Sequence, residues 1–168
     1  MLLVGGASTR FGSPKALAQY DGETLAARAW RLLGETCEER IAVGKSEYAL
    51  PFETVDDGSD IRAPIAGVVA GLRSARHELA VVIPVDMPFL TPAALRELAA
   101  RCLDVAHPPT GPLPGAYRRS ALPVLEDSLG RGELSLRRAI SGLAVVVVPL
   151  DDCTLVNVNE PGDLDRLG

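Results

Sequence analysis

The sequence predicts an α/β protein with a mostly parallel sheet and helices on both faces, and three observations carry that prediction. Strand-like and helix-like segments alternate through most of the chain. The early apolar runs, at 2–4, 41–44 and 79–85, are apolar throughout instead of alternating, as expected of strands covered on both sides. The first run stops at the adjacent Gly5 and Gly6, where missing Cβ atoms let a ligand approach the backbone closely.

The elements follow in order. The strand at 2–4 opens into a loop of small and basic residues that runs to Lys15. Gly22-Glu23-Thr24 leads into a helix whose Leu25, Ala29, Leu32 and Leu33 recur at helical spacing, ending near Gly34 or Cys37. A short buried strand is predicted at 41–44 and a weaker one at 53–55. Asp56-Asp57-Gly58-Ser59-Asp60 is a loop by composition. Pro64, at a first helical position, opens a helix of small residues reaching about Ala75, able to pack close to a sheet or a ligand.

The run at 79–85 is the strongest strand, broken only by Pro84, and it ends at Asp86. Thr91 is a helix cap with Pro92 at the first helical position, and Leu95, Leu98, Ala99 and Cys102 share one face of that helix. Residues 107–114, with Pro108, Pro109, Pro112 and Pro114, form a loop. Ser120 and Ser135 are candidate caps for two further helices ending near Gly130 and Gly142. A buried strand at 143–148 and another at 154–158 come late, and Glu160-Pro161 starts a short terminal helix. Neither a repeat nor a linker divides the sequence, so one domain spans 1–168.

The 168 residues are 47% hydrophobic and 23% charged, ordinary values for a domain with a sizeable core. A net charge of −5 and no run of Lys or Arg argue against a nucleic-acid-binding face. Any anion site must therefore be built locally. Cys37, Cys102 and Cys153 are odd in number and widely separated, with neither a disulfide framework nor a metal knuckle. With no basic-then-apolar leader at the start, they predict a reduced, cytoplasmic protein. The longest apolar stretch, 143–148, is too short to span a bilayer.

Three candidate features fall at the carboxyl ends of strands, where open α/β sheets bind ligands. The first is the glycine loop, whose backbone N–H groups, with Arg10 and Lys15, favour an anion such as a nucleotide triphosphate. Its spacing is neither G-x-G-x-x-G nor the P-loop pattern, which argues against a dinucleotide-dependent dehydrogenase. The second is Asp86, a candidate Mg²⁺ ligand if phosphates and water complete the octahedron, or a simple turn cap. The third is the pair Asn157 and Asn159, which face the same way if the segment is extended and meet either a ligand or neighbouring loop carbonyls. His77 and His107 read as solvent-facing or structural.

Six segments resemble, in order, those of the molybdenum cofactor guanylyltransferases and their nucleotidyltransferase relatives. They are Val4-Gly5-Gly6-Ala7-Ser8-Thr9-Arg10-Phe11-Gly12-Ser13-Pro14-Lys15-Ala16-Leu17, Asp60-Ile61-Arg62-Ala63-Pro64-Ile65-Ala66-Gly67 and Pro84-Val85-Asp86-Met87-Pro88-Phe89-Leu90. Pro112-Leu113-Pro114-Gly115-Ala116-Tyr117-Arg118-Arg119-Ser120, Gly132-Glu133-Leu134-Ser135-Leu136-Arg137 and Leu155-Val156-Asn157-Val158-Asn159-Glu160-Pro161-Gly162-Asp163-Leu164 complete the set. The resemblance implies a three-layer, Rossmann-like nucleotidyltransferase fold. It also implies transfer of GMP from GTP to the phosphate of molybdopterin, with Mg²⁺ and release of pyrophosphate.

By motif match, Val4, Gly5, Gly6, Arg10 and Lys15 take the triphosphate, and Asp60 and Gly67 lie in a nucleotide-binding segment. Asp86 and Asn159 hold the metal, while Tyr117, Arg118 and Asn157 line the pterin side. Arg10, Lys15 and Asp86 are the catalytic set, and any protein contacts are transient ones with cofactor-biosynthesis or acceptor enzymes. Val4, Pro14, Ala63 and Gly44 depart from the family pattern. Gly44 stands where guanylyltransferases can carry an Asn, whereas paired glycines favour guanine over cytosine. The alternatives are an enzyme of this fold using CTP or another acceptor such as a sugar phosphate, and a nucleotide-binding accessory protein without turnover.

Overall fold

The computed structural model describes residues 1–4, 14–45, 49–56, 58, 63–159 and 162–163. The glycine loop at 5–13, Asp60 and the start of the terminal helix at Glu160 lie outside the described residues. Seven strands form the main sheet: β1 (Leu2–Leu3), β4 (Ala42–Val43), β5 (Thr54–Val55), β6 (Leu79–Pro84), β7 (Val105–His107), β8 (Gly115–Arg118) and β9 (Val145–Val147). β2 (Gln19–Tyr20) and β3 (Glu23–Thr24) make a separate hairpin. The helices are α1 (Leu25–Thr36), α2 (Pro64–Ser74), α3 (Pro92–Arg101), α4 (Leu122–Gly130) and α5 (Leu136–Ala139).

The sheet order is β5-β4-β1-β6-β8-β7-β9, parallel except for β8, which runs antiparallel to both neighbours. Alternation along each strand splits the core into two layers. Leu3, Val82, Val105 and Tyr117 face α2, α4 and α5, whereas Leu2, Val81, Ile83, Ala106 and Ala116 face α1 and α3. The predicted mostly parallel sheet with helices on both faces is what forms.

Local chemistry accounts for the helix starts. Thr24 and Thr91 accept hydrogen bonds from Ala27 N–H and Ala94 N–H at 3.1 and 3.2 Å, capping α1 and α3. Ser135 caps α5 by accepting from Arg138 N–H. α2 packs tightly on β1 through Gly67, where a Cβ would stand 3.0 Å from Leu3 Cδ2. Pro84 does not interrupt the sheet, because β8 pairs with β6 only as far as Val82 and no ladder needs the missing N–H.

Several expectations are corrected. Ser120 does not cap a helix; it lies in the 3-10 turn Arg119–Ala121, and its hydroxyl donates to Asp104 Oδ1 at 3.3 Å. The segment at 154–158 is not a strand: a 3-10 turn, Asp152–Leu155, is followed by chain that joins no strand ladder and makes a single backbone bond, Val158 N–H to Asp86 O at 2.9 Å, among the described residues. The late strand β9 is shorter than predicted and forms the sheet edge, with Val147 54% exposed. β7, β8 and the β2–β3 hairpin were not foreseen. The hairpin turns at Asp21 and Gly22, both at positive φ (51° and 74°), the conformation that a two-residue turn between twisted strands demands. No helix among the described residues is long and apolar enough to cross a membrane.

Candidate functional site

Lys15 and Asp86, 71 residues apart, meet at the carboxyl end of the sheet, where Lys15 Nζ donates to Asp86 Oδ2 at 3.1 Å. Each partner reaches that point for a local reason. Lys15 opens a 3-10 turn, Lys15–Leu17, closed by Leu17 N–H donating to Pro14 O at 2.9 Å and anchored by the buried Ala16. Pro14 precedes the turn at φ −57°, the value its ring imposes, so this departure from the family pattern suits the backbone. Asp86 leaves the end of β6 just after Val85 N–H donates to Leu3 O at 3.2 Å.

Asn159 completes the cluster. Lys15 Nζ also donates to its Oδ1 at 3.4 Å. The chain is brought there by Val158 N–H donating to Asp86 O at 2.9 Å, with Val158 itself fully buried. Asn157 and Asn159 flank it and are exposed, so neither residue is buried in the core. Asn157 makes no hydrogen bond to Lys15 or Asp86. Asp163 holds Asn159 from behind, accepting its backbone N–H through Oδ2 at 2.8 Å. Sequence reasoning gave Asp163 no role beyond its place in the closing motif segment.

The side chains of Lys15 and Asp86 are 16% and 25% exposed, so the ion pair is partly screened by solvent. One ammonium is ringed by a carboxylate oxygen and an amide oxygen, both hard donors. Such oxygens suit Mg²⁺ when phosphate and water oxygens fill the other positions. Among the described residues no cluster of three or more His, Cys, Asp and Glu is grouped to hold a metal.

The other predicted residues divide by position. Val4 is 3% exposed and its side chain belongs to the core beside α1 and α3, so it offers backbone, not side chain, to the site mouth. Gly67 is explained by its approach to Leu3. Arg118 is exposed, with Nη2 donating to Cys102 O at 3.5 Å. His107 is buried, its Nδ1 2.7 Å from Pro108 O, in keeping with a structural role, and His77 is exposed. Gly5, Gly6, Arg10 and Asp60 lie outside the described residues.

Tyr117 is corrected. It lies on β8 between β6 and β7, with a fully buried ring and a hydroxyl that donates to Pro112 O at 2.6 Å. Burial pushes its phenol well above the usual range. The ring ties the Pro-rich loop to the core and leaves none of its own surface exposed. Tyr117→Phe leaves the Pro112 carbonyl without this donor. It is expected to cost about 1–2 kcal/mol, or about 2–8 °C in melting temperature, while the folded protein keeps its turnover. Thermal melts alongside initial rates check both halves.

The family model described as the MobA-like NTP transferase domain matches residues 1–146. A probable molybdenum cofactor guanylyltransferase of Deinococcus radiodurans is 36% identical, over 99% of this chain and 91% of its own. The molybdenum cofactor guanylyltransferase of Pseudomonas putida (strain GB-1) is 32% identical, over 96% and 92%. Among solved structures, the molybdopterin-guanine dinucleotide biosynthesis protein A of Archaeoglobus fulgidus superposes with a TM-score of 0.79 at 27% identity, covering 98% of this chain and 94% of that one.

Proposed function

Because the chain belongs to the MobA-like NTP transferase domain family, we propose that it transfers the guanylyl group of GTP to the phosphate of molybdopterin, releasing pyrophosphate, within one domain of 168 residues. The observation that carries this reading is the bridge from Lys15 Nζ to Asp86 and Asn159 at the carboxyl end of the sheet. The relatives named for this reaction support the choice of substrates.

An oxygen of the acceptor phosphate attacks the α-phosphorus of GTP, the bond from that phosphorus to the bridging oxygen breaks, and pyrophosphate carries away the charge. Such transfer needs positioning and charge neutralisation rather than a protein nucleophile. Lys15 exchanges its carboxylate for phosphate oxygens and holds them in line. Asp86 and Asn159 would then hold Mg²⁺, which neutralises charge on the reacting and departing phosphates when bound. The glycine loop with Gly5, Gly6 and Arg10 is assigned the triphosphate and Asp60 the nucleotide, by motif match. Asn157 stays on the acceptor side, and the odd, widely spaced cysteines support a cytoplasmic location.

The base must be recognised without a side chain at position 44. Gly44 sits at φ 140°, where its N–H donates to Val55 O at 3.0 Å, a backbone conformation closed to Asn. Thermal shifts with GTP, CTP, ATP and UTP in the presence of Mg²⁺ test the base. GTP at about 100 times its dissociation constant should add about 2.7 kcal/mol of stability, with the other three well below it. A response confined to CTP would overturn the guanylyl assignment. Chromatography of the product formed with molybdopterin tests the acceptor.

A further inference from the structure

We propose that Arg28 is a positioning residue for nucleotidyl transfer: it clamps the β2–β3 hairpin to the loop at 87–90 and thereby sets the contact of Lys15 with Asp86. The inference rests on the functional reading above only for its kinetic consequence; its geometric part stands alone.

Lys15 and Asp86 belong to separate segments that share no strand pairing. The Lys15 turn runs straight into the hairpin, and the hairpin is folded back so that Leu25 N–H donates to Ala18 O at 2.9 Å. The hairpin is fastened to α1 by Arg31, whose Nη2 lies 3.1 Å from Glu23 Oε2 on β3. Asp86 begins the loop carrying Met87, Pro88, Phe89 and Leu90. That loop is weakly closed on itself, since Leu90 N–H reaches Met87 O only at 3.5 Å.

Arg28, on the first turns of α1, joins the two. Its Nε donates to Pro88 O at 2.9 Å, and its guanidinium lies over the Tyr20 ring, 5.2 Å from the centroid. Tyr20 in turn meets Phe89 edge-on, with centroids 5.4 Å apart at 77°. One planar cation thus touches the hairpin behind Lys15 and the loop beyond Asp86, and the aromatic pair closes the circuit. A guanidinium donates in its plane and stacks on its face at the same time, which a lysine ammonium does not. Loosening reactive groups by about 1 Å costs on the order of 100-fold in rate, so a clamp of this kind acts on turnover.

The test uses the whole chain and two readouts. Lys15 and Lys45 are its only lysines, so reductive ¹³C-methylation gives two lysine signals, assigned with Lys45→Arg. In Arg28→Met the Lys15 signal should move without any substrate present. The kcat with GTP should fall about 10- to 100-fold, with KM for GTP within about threefold of the parent. Arg28→Lys, which keeps stem and charge, should show the same displacement and about a tenfold loss of kcat, and it covers the case in which Arg28→Met does not fold. A folded variant with an unmoved Lys15 signal overturns the clamp, whatever the rates. A moved signal with an unchanged kcat overturns its catalytic consequence. A parent that releases no pyrophosphate from GTP overturns the functional reading instead and leaves the Lys15 signal as the measure of the clamp.

Discussion

Lys15→Ala is expected to lower guanylyl transfer about 10²- to 10³-fold while shifting the melting temperature by less than about 4 °C. The two magnitudes come from different parts of the same side chain. The ammonium is the described cation that contacts both Asp86 and Asn159, so its loss removes charge from where the phosphates must sit. Its contribution to folding is modest, because a partly exposed ion pair, with side chains 16% and 25% exposed, is worth on the order of 1 kcal/mol after screening. The turn that carries Lys15 is held by backbone hydrogen bonds and by Ala16, none of which the substitution touches. Pyrophosphate release and thermal melts on one preparation check the pair. An activity loss that merely tracks a large fall in melting temperature would make Lys15 structural.

Asp86→Asn should cost a comparable factor, about 10²- to 10³-fold in turnover, with a different signature in binding. The amide keeps the size of the side chain, and the backbone carbonyl that accepts Val158 N–H is unaffected, so the 156–159 segment should stay in place. What disappears is one negative charge beside Lys15. GTP should still raise the melting temperature of the variant, but the increment should no longer depend on Mg²⁺. In the parent it should fall when the metal is chelated. Melts with GTP, with and without Mg²⁺, compare the two proteins directly. A variant whose GTP response keeps the parent's metal dependence would remove Asp86 from the metal-binding set.

Much of the architecture was legible because the relevant signals are local. Contiguous apolar runs marked β1, β4 and β6, and a hydroxyl cap with an adjacent proline marked the start of α3, which ends one residue before the Cys102 assigned to its face. The elements that escaped share the opposite property. β7 and β8 hold three and four residues, and what makes them strands is the ladder from β6 to β8 to β7. The hairpin at 19–24 carries no apolar pattern and is held by its turn and by side chains from α1. The segment at 154–158 misled because Val156 and Val158 alternate with asparagines; of these two valines only Val158 is buried, and it is pinned by Asp86 O instead of a strand.

Site residues follow the same division. Lys15, Asp86 and Asn159 were identifiable one by one, from their places at the ends of apolar runs and in the motifs. Tyr117 occupies a motif position as well, and nothing in the neighbouring residues distinguishes a ring that faces substrate from one that faces the core. Its inward direction follows from strand alternation on β8, flanked on both sides. Arg28 has no motif, since its importance lies in touching Pro88 and Tyr20 from a third segment.

By itself, the sequence determined the class of fold, the starts of α1, α2, α3 and α5, the family and the identity of the charged and amide groups at the ends of strands, because each rests on short-range pattern or on residue type. The tertiary structure alone decided that Lys15 meets Asp86 and Asn159 across 71 and 144 residues of chain, that Tyr117 turns inward, and that Arg28 ties the two halves of the site. Those are long-range distances, set by strand order and packing, and no stretch of neighbouring residues encodes them.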